Sequence, residues 1–343
     1  MPDFPYINAR VRAMRSRLLT AAQLDELLGF TTLPAFLQAM ASTPYAGDLQ
    51  EALVRFEGVR AVDEALARNL RRTTRKILGF ADGRPRALIE VVLLRWDLVN
   101  LRVIVRGKHA GRSDGEVMAA LLPAGTLGEA ALKEMVAAPD IAGVVGTLEA
   151  VGHPFAQVAA EAMAGYAGNQ DLLAFELLLD RAYVERGMRQ TRGRSSDATV
   201  LREVLHAEID AANAKTALKL DSAEGLDEEA RLRFFIPGGV MLPAELFLAL
   251  SAPSTRASAW QKLRLSGFPI RDLPETPIEF ERALDLATAQ ALAGRYRGDP
   301  LGLDIVIGYL ALKTYEVANL RLVARGAFLG LPREAVRREM VRV

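Results

Sequence analysis

Apolar residues recur along this chain three and four positions apart, the spacing that lines one face of a helix, and alternating strand-like runs of any length are absent. Between Trp96 and Lys108, Leu98, Leu101 and Val105 are joined by Val103 and Ile104 into a wide apolar face. Asp171–Arg186 and Glu245–Ala252 read the same way. The helical runs are cut at Thr43-Pro44, His153-Pro154 and Phe268-Pro269, because proline lacks an amide donor and restricts the residue before it. Pro123-Ala124-Gly125 and Pro237-Gly238-Gly239 are further breaks. The pattern predicts an all-α protein.

A much longer period lies over the helical one. An acidic residue, two positions, an asparagine, then leucine or alanine and a basic residue appear as Asp97-Leu98-Val99-Asn100-Leu101-Arg102. The motif returns as Asp210-Ala211-Ala212-Asn213-Ala214-Lys215 and again as Glu316-Val317-Ala318-Asn319-Leu320-Arg321. A second basic residue follows four positions on each time, at Arg106, Lys219 and Arg325. The asparagines stand 113 and 106 positions apart. Other markers keep the same phase. Upstream lie Val62-Asp63, Phe175-Glu176 and Phe280-Glu281, with Leu66, Leu179 and Leu284 four residues after the apolar one. Leu19, Leu24 and Leu27 match Leu127, Leu132 and Met135, and then Met241, Leu246 and Ala249. A proline closes that part at Pro44, Pro154 and Pro269, followed by Tyr45, Phe155 or Ile270.

Order and spacing agree, so the chain reads as three helical modules, 1–112, 113–222 and 223–343, bounded near Arg112 and Ser222 in polar, turn-forming stretches. A period of about 110 residues is too long for a solenoid unit of about 20–50. Each copy should instead be a small subdomain with room for roughly five or six helices of average length.

Composition removes most chemistry from this picture. Half the 343 residues are apolar, and a net charge of +1 gives no global pull toward nucleic acid. With no cysteine, thiolate metal sites, disulfides and cysteine nucleophiles are excluded. The start lacks the basic-then-apolar order of a signal peptide, and the apolar runs Ala244–Ala252 and Leu303–Leu312 are too short to span a bilayer. Arg106-Gly107-Lys108-His109-Ala110-Gly111 has no upstream glycine at P-loop spacing, and no dinucleotide fingerprint follows a strand. The three histidines, His109, His153 and His206, never pair at metal-helix spacing. His153 stands where the other copies carry Thr43 and Phe268, and His206 reads as a partly buried helix residue. Asp180 and Asp285, like Asp97 and Asp210, are repeat equivalents rather than a magnesium-holding cluster. No catalytic residue, metal site or cofactor is expected.

The repeated acidic–Asn–basic motif leaves two readings. On a helix the acidic residue and the asparagine are three apart and share a face, so the asparagine can cap a neighbouring helix or bond a loop carbonyl within each module. Alternatively, the basic residues line an opening and meet a partner.

The opening Tyr6-Ile7-Asn8-Ala9-Arg10-Val11-Arg12-Ala13-Met14, followed by Leu18-Leu19, resembles the N-terminal signature of the C subunit (d in eukaryotes) of V-type and archaeal-type rotary ATPases. Asn8-Ala9-Arg10 also echoes Asn213-Ala214-Lys215, as though the chain begins midway through a module's cycle. Trp96-Asp97-Leu98-Val99-Asn100-Leu101-Arg102, with Arg106 and Lys108, is similar to the family's first Asn-Leu-Arg helix. Asn319-Leu320-Arg321 and Phe328-Leu329-Gly330-Leu331-Pro332 resemble its C-terminal end. The likeness runs from about Tyr6 to Met340. It implies a funnel of three similar helical subdomains on the cytoplasmic face of the membrane's proteolipid ring. That funnel would receive the central stalk, subunits D and F, and pass rotation in either direction while binding no nucleotide. The coupling ion is a property of the ring. The expected partner contacts are the repeated basic set Arg10, Arg102, Lys215 and Arg321. The rival readings are a helical scaffold for unrelated partners and a helical enzyme; the spacing supplies neither the clustered carboxylates nor the histidine dyad that an enzyme needs.

Overall fold

The computed structural model describes residues 3–220, 226–270, 272–274 and 276–342. Among them are eighteen α-helices, one short 3-10 turn and no strand, as the three- and four-residue spacing predicts. No helix among the described residues is long and apolar enough to cross a membrane. The chain divides into two units, residues 1–156 with 293–343, and residues 157–292.

The first unit opens with α1 (Phe4–Arg15), α2 (Ala21–Leu27), α3 (Leu33–Met40) and α4 (Ala46–Leu53). Two long helices follow, α5 (Gly58–Phe80) and α6 (Gly83–His109), then α7 (Asp114–Ala120), α8 (Glu129–Ala137) and α9 (Ile141–Ala150). The second unit holds α10 (Ala156–Asn169), α11 (Leu172–Gln190), α12 (Ser196–Leu220), α13 (Glu228–Leu232), α14 (Ala244–Leu250), α15 (Arg256–Leu265) and most of α16 (Pro277–Gly294). The chain then returns to the first unit with α17 (Asp304–Leu329) and α18 (Arg333–Glu339).

Local chemistry sets the helix starts. Asp3, Asp140, Asp171 and Asp227 each accept an amide from the first turn. Thr20 with Gln23, and Ser113 with Glu116, form reciprocal capping boxes. The expected module boundary near Arg112 falls in the turn between α6 and α7, and that near Ser222 lies outside the described residues.

The phased apolar markers are core residues. Val62, Leu66, Phe175, Leu179, Phe280 and Leu284 are all buried. In the first unit α17 lies along α5, and Phe36, Met40, Tyr45, Leu66, Leu70, Trp96, Leu320 and Val323 share one cluster. In the second, Trp260 stands edge-on to Phe268 at 6.0 Å and to Phe280 at 5.6 Å, above Phe247 and Leu284. Each large apolar side chain buried this way contributes about 1.5–3 kcal/mol.

Candidate functional site

Each repeated acidic residue and its asparagine hold a piece of backbone. The Asp97 carboxylate accepts from the Thr126 amide at 2.8 Å, the Thr126 hydroxyl at 2.7 Å and the Leu127 amide at 3.0 Å. One turn on, Asn100 donates to the Leu122 carbonyl at 2.8 Å and accepts the Leu122 amide at 2.9 Å. Asp210 likewise takes the amides of Val240, Met241 and Leu242 at 3.0, 2.9 and 3.0 Å. Asn213 pairs with both backbone groups of Ile236, at 2.8 and 2.9 Å. The held loops carry the two proline–glycine breaks. A side chain on Gly125 would strike the Asp97 carboxylate, and one on Gly239 the Asp210 carboxylate, so both approaches require glycine.

The third clamp is split between the two ends of the chain. Asn319 pairs with both backbone groups of Val341, at 2.8 and 2.9 Å. Glu316 accepts the amide of Leu19 at 2.5 Å, the residue in phase with Leu127 and Met241. Asn8 is buried and also holds backbone, donating to the carbonyls of Pro300 at 3.0 Å and Gly302 at 2.8 Å. Of the two readings of the motif, bonding to a loop is what the acidic and asparagine side chains do.

The predicted basic contacts lie in different surroundings. Arg10 is exposed on α1, its guanidinium over the rings of Tyr6 and Phe80 at 5.2 and 5.5 Å. Arg102 is half-buried on α6. Lys215, on α12, is ion-paired with Asp285 on α16. Arg321 is only 5 % exposed, bonded to the Leu121 carbonyl and 3.4 Å from Asp63. Arg10, Arg102 and Arg321 belong to the first unit and Lys215 to the second, and the partners of Lys215 and Arg321 lie outside the modules expected for them. His153 is buried with Nε2 3.5 Å from Asp97, His206 is half-buried against the Gly238 carbonyl, and His109 ends α6. Among the described residues, no group of three histidine or acidic side chains is placed to hold a metal ion.

A groove of about 690 Å³ opens in the first unit between α5, α7, α8 and α17. Its floor includes Phe56, Val59, Met118 and Leu132, and its walls carry charges of both signs. Asp63 lies 3.4 Å from Arg321 and 3.3 Å from Arg325, and Arg71 bridges Glu64 and Glu129 at 3.2 and 2.9 Å. Burial pushes Asp63 up despite the attraction of Arg321 and Arg325. Burial likewise pushes Arg321 down, against the pull of Asp63. Both partners shift toward neutrality, so desolvation outweighs the ion pair here. Glu129 is shifted the other way, held below the usual carboxylate range by its hydrogen bond from Lys133.

A second polar cluster, which sequence reasoning missed, sits where α17 meets the N-terminal segment. Tyr45 donates to Glu316 at 2.6 Å, and Lys313 donates to the Tyr45 hydroxyl at 2.7 Å and to Glu316 at 3.2 Å. Burial pushes the Tyr45 phenol well up and the Lys313 ammonium down. The available signal was a lysine directly after the apolar run Leu303–Leu312.

A family model described as ATP synthase (C/AC39) subunit matches residues 7–339. The C subunit of the V-type ATP synthase of Deinococcus radiodurans is 34 % identical, covering 99 % of this chain and 92 % of that one. The C subunit of the V-type ATP synthase of a Thermus thermophilus strain is also 34 % identical, at 99 % and 98 % coverage. The C subunit of the A-type ATP synthase of Haloferax volcanii is 31 % identical, at 98 % and 97 %.

Proposed function

The chain belongs to the ATP synthase (C/AC39) subunit family, and on that premise we propose that it couples the central stalk of a V/A-type rotary ATPase to the membrane's proteolipid ring. It is the C subunit of such a complex and carries no catalytic centre of its own. In the proposal it sits on the cytoplasmic face of the membrane, receives stalk subunits D and F, and transmits rotation during proton- or sodium-coupled synthesis or hydrolysis of ATP.

The observation that carries this reading is a family match over residues 7–339, with relatives covered almost end to end. Physical features support it. A torque-bearing part must resist bending, and the backbone clamps tie the loops after α7 and α13 to α6 and α12, helices of 27 and 25 residues. No helix among the described residues is long and apolar enough to cross a membrane, which suits a seat against the ring in this reading. The three modules, 1–112, 113–222 and 223–343, are part of the proposal. The last is completed by the N-terminal segment around Leu19, which supplies the backbone that Glu316 holds. Of the four basic residues, Arg10 is the one whose exposure suits a partner contact, and the groove beside Arg325 offers a second surface.

The test is retention. Membranes carrying the assembled complex are stripped of the ATP-hydrolysing head and probed for this chain together with the ring. The expected result is that it stays with the ring and stalk; membranes that keep the ring but none of this chain would overturn the proposal. Arg10→Glu should weaken retention while leaving the helical signal of the purified chain unchanged.

A further inference from the structure

A pocket of about 130 Å³ lies in the first unit between the segment after α1, helix α5 and helix α17. One water needs only about 10–15 Å³ of such space, so a small polyatomic ion with accompanying waters fits. Arg17, Arg72, Lys76 and Lys313 all reach its lining, and no acidic side chain does. Two of these cations are already answered. Arg72 forks onto Asp48 at 2.7 and 2.6 Å, and Asn69 donates to the same carboxylate at 2.7 Å. Lys313 is committed to Tyr45 and Glu316. The side chains of Arg17 and Lys76 have neither ion pair nor hydrogen bond among the described residues, which leaves the pocket two positive charges in excess.

Tyr309 adds an independent observation. It is 2 % exposed and lines the pocket, and its hydroxyl has no hydrogen-bond partner among the described residues. Its oxygen is not one of the fully buried polar atoms left without a partner, so it opens to the pocket, where it can donate to solvent or to an anion. Burial, helped by Glu316, pushes the phenol up against the opposing pull of Arg17, so it remains a donor at ordinary pH. Nor does the module plan demand these residues. The positions in phase with Tyr309 are Glu90 and Glu203, and those in phase with Lys313 are Leu94 and Ala207.

We propose that this pocket binds a single tetrahedral oxyanion, represented by inorganic phosphate. Arg17 and Lys76 supply the charge, and the Tyr309 hydroxyl supplies a donor from the buried wall. Planar guanidinium and compact ammonium groups are the usual partners of phosphate oxygens. The anion would bridge the N-terminal segment, α5 and α17, so occupancy would stabilise the corner where the two ends of the chain meet.

The experiment is titration of the full chain with inorganic phosphate at constant ionic strength, followed by calorimetry and by phosphorus NMR line broadening. Arg17→Gln combined with Lys76→Gln, both at exposed positions that leave the core intact, should weaken binding at least tenfold. Tyr309→Phe should weaken it several-fold with little change in fold. Phosphate also stabilises proteins by exclusion from their surface, and that contribution is unaltered in the double variant. Equal response of wild type and double variant, or no phosphate response beyond that of chloride, would overturn the site. An ADP arm separates free phosphate from a nucleotide's terminal phosphate. ADP is expected to bind no tighter than phosphate, and tighter ADP binding would overturn the assignment to the free ion.

Discussion

Replacing each clamp asparagine by alanine probes one interaction in three surroundings. Asn213 is 0 % exposed, and both its bonds to Ile236 are fully buried. Asn213→Ala leaves a buried amide and a buried carbonyl unpaired, each costing about 1–3 kcal/mol. Some of that is returned because the asparagine's own amide no longer needs desolvating, so a net loss of about 3 kcal/mol is expected. Asn100 is 1 % exposed but its partner Leu122 is half-buried, so water can reach part of the gap and about 2 kcal/mol is expected. Asn319 is 5 % exposed and holds Val341, itself half-buried with its bonds open to water, so about 1 kcal/mol is expected. The two tryptophans make this measurable unit by unit, since Trp96 reports the first and Trp260 the second. In a Trp96→Phe background, Asn213→Ala should lower the fluorescence-detected melting midpoint by roughly 6–12 °C. Protection of the Ile236 amide against hydrogen exchange should fall with it. A midpoint within about 1 °C of the parent, or a larger loss from Asn319→Ala than from Asn213→Ala, would refute the clamp argument.

Gly239→Ala should destabilise the second unit by about 2 kcal/mol or more because its methyl would strike Asp210, whereas Gly165→Ala, at an exposed position of α10 with open space around it, should stabilise by about 0.5–1 kcal/mol; urea unfolding reads both. Asp63 gives a pH signature. Its folded pKa is raised above 3.8, so its stabilising contribution is complete below that value and is lost as pH rises through the folded value. The stability of wild type minus that of Asp63→Asn should therefore decline with pH just above 3.8, and a rise would mean that Arg321 and Arg325 outweigh burial. Lys313→Met should cost about 3–5 kcal/mol by leaving Glu316 buried without its cation, and adding Glu316→Gln should recover part of it in denaturant titrations monitored through Trp96.

The helices were legible because a buried stripe repeats at helical spacing whatever the tertiary partners, and the phased markers Val62, Phe175 and Phe280 are core residues for that reason. The acidic–Asn pair was legible as a loop holder because a polar pair recurring on an apolar helix face must find buried partners. The fate of the basic residues was not. Nothing local separates Arg321, buried against Asp63 from another helix, from Arg10, exposed on α1, because the difference is made by residues hundreds of positions away. The Tyr45–Lys313–Glu316 cluster was hidden for the same reason. In sequence Tyr45 is only the apolar counterpart of Phe155 and Ile270, and its hydroxyl acquires meaning when α17 arrives.

The third clamp departs from the other two where chain topology says it should. Asp97 reaches Leu127 across 30 positions, but Glu316 reaches Leu19 across 297. Closing a loop about ten times longer costs roughly 2 kcal/mol more by chain entropy. Hydrogen bonds to a charged group contribute about 1.5–3 kcal/mol each. The Glu316–Asn319 clamp carries two such additions. Tyr45 stands where the other copies have phenylalanine and isoleucine, and Lys313 stands where they have leucine and alanine. The longer glutamate also lets one carboxylate meet the tyrosine, the lysine and the backbone amide together. The additions are of the size needed to offset the longer closure, so the irregular copy is the one whose clamp must join the two ends of the chain. This places the burden of the cluster on keeping Leu19 docked. In Lys313→Met, the Leu19 amide should lose exchange protection before the Leu127 amide does; equal loss at both would mean that the lysine merely fills space.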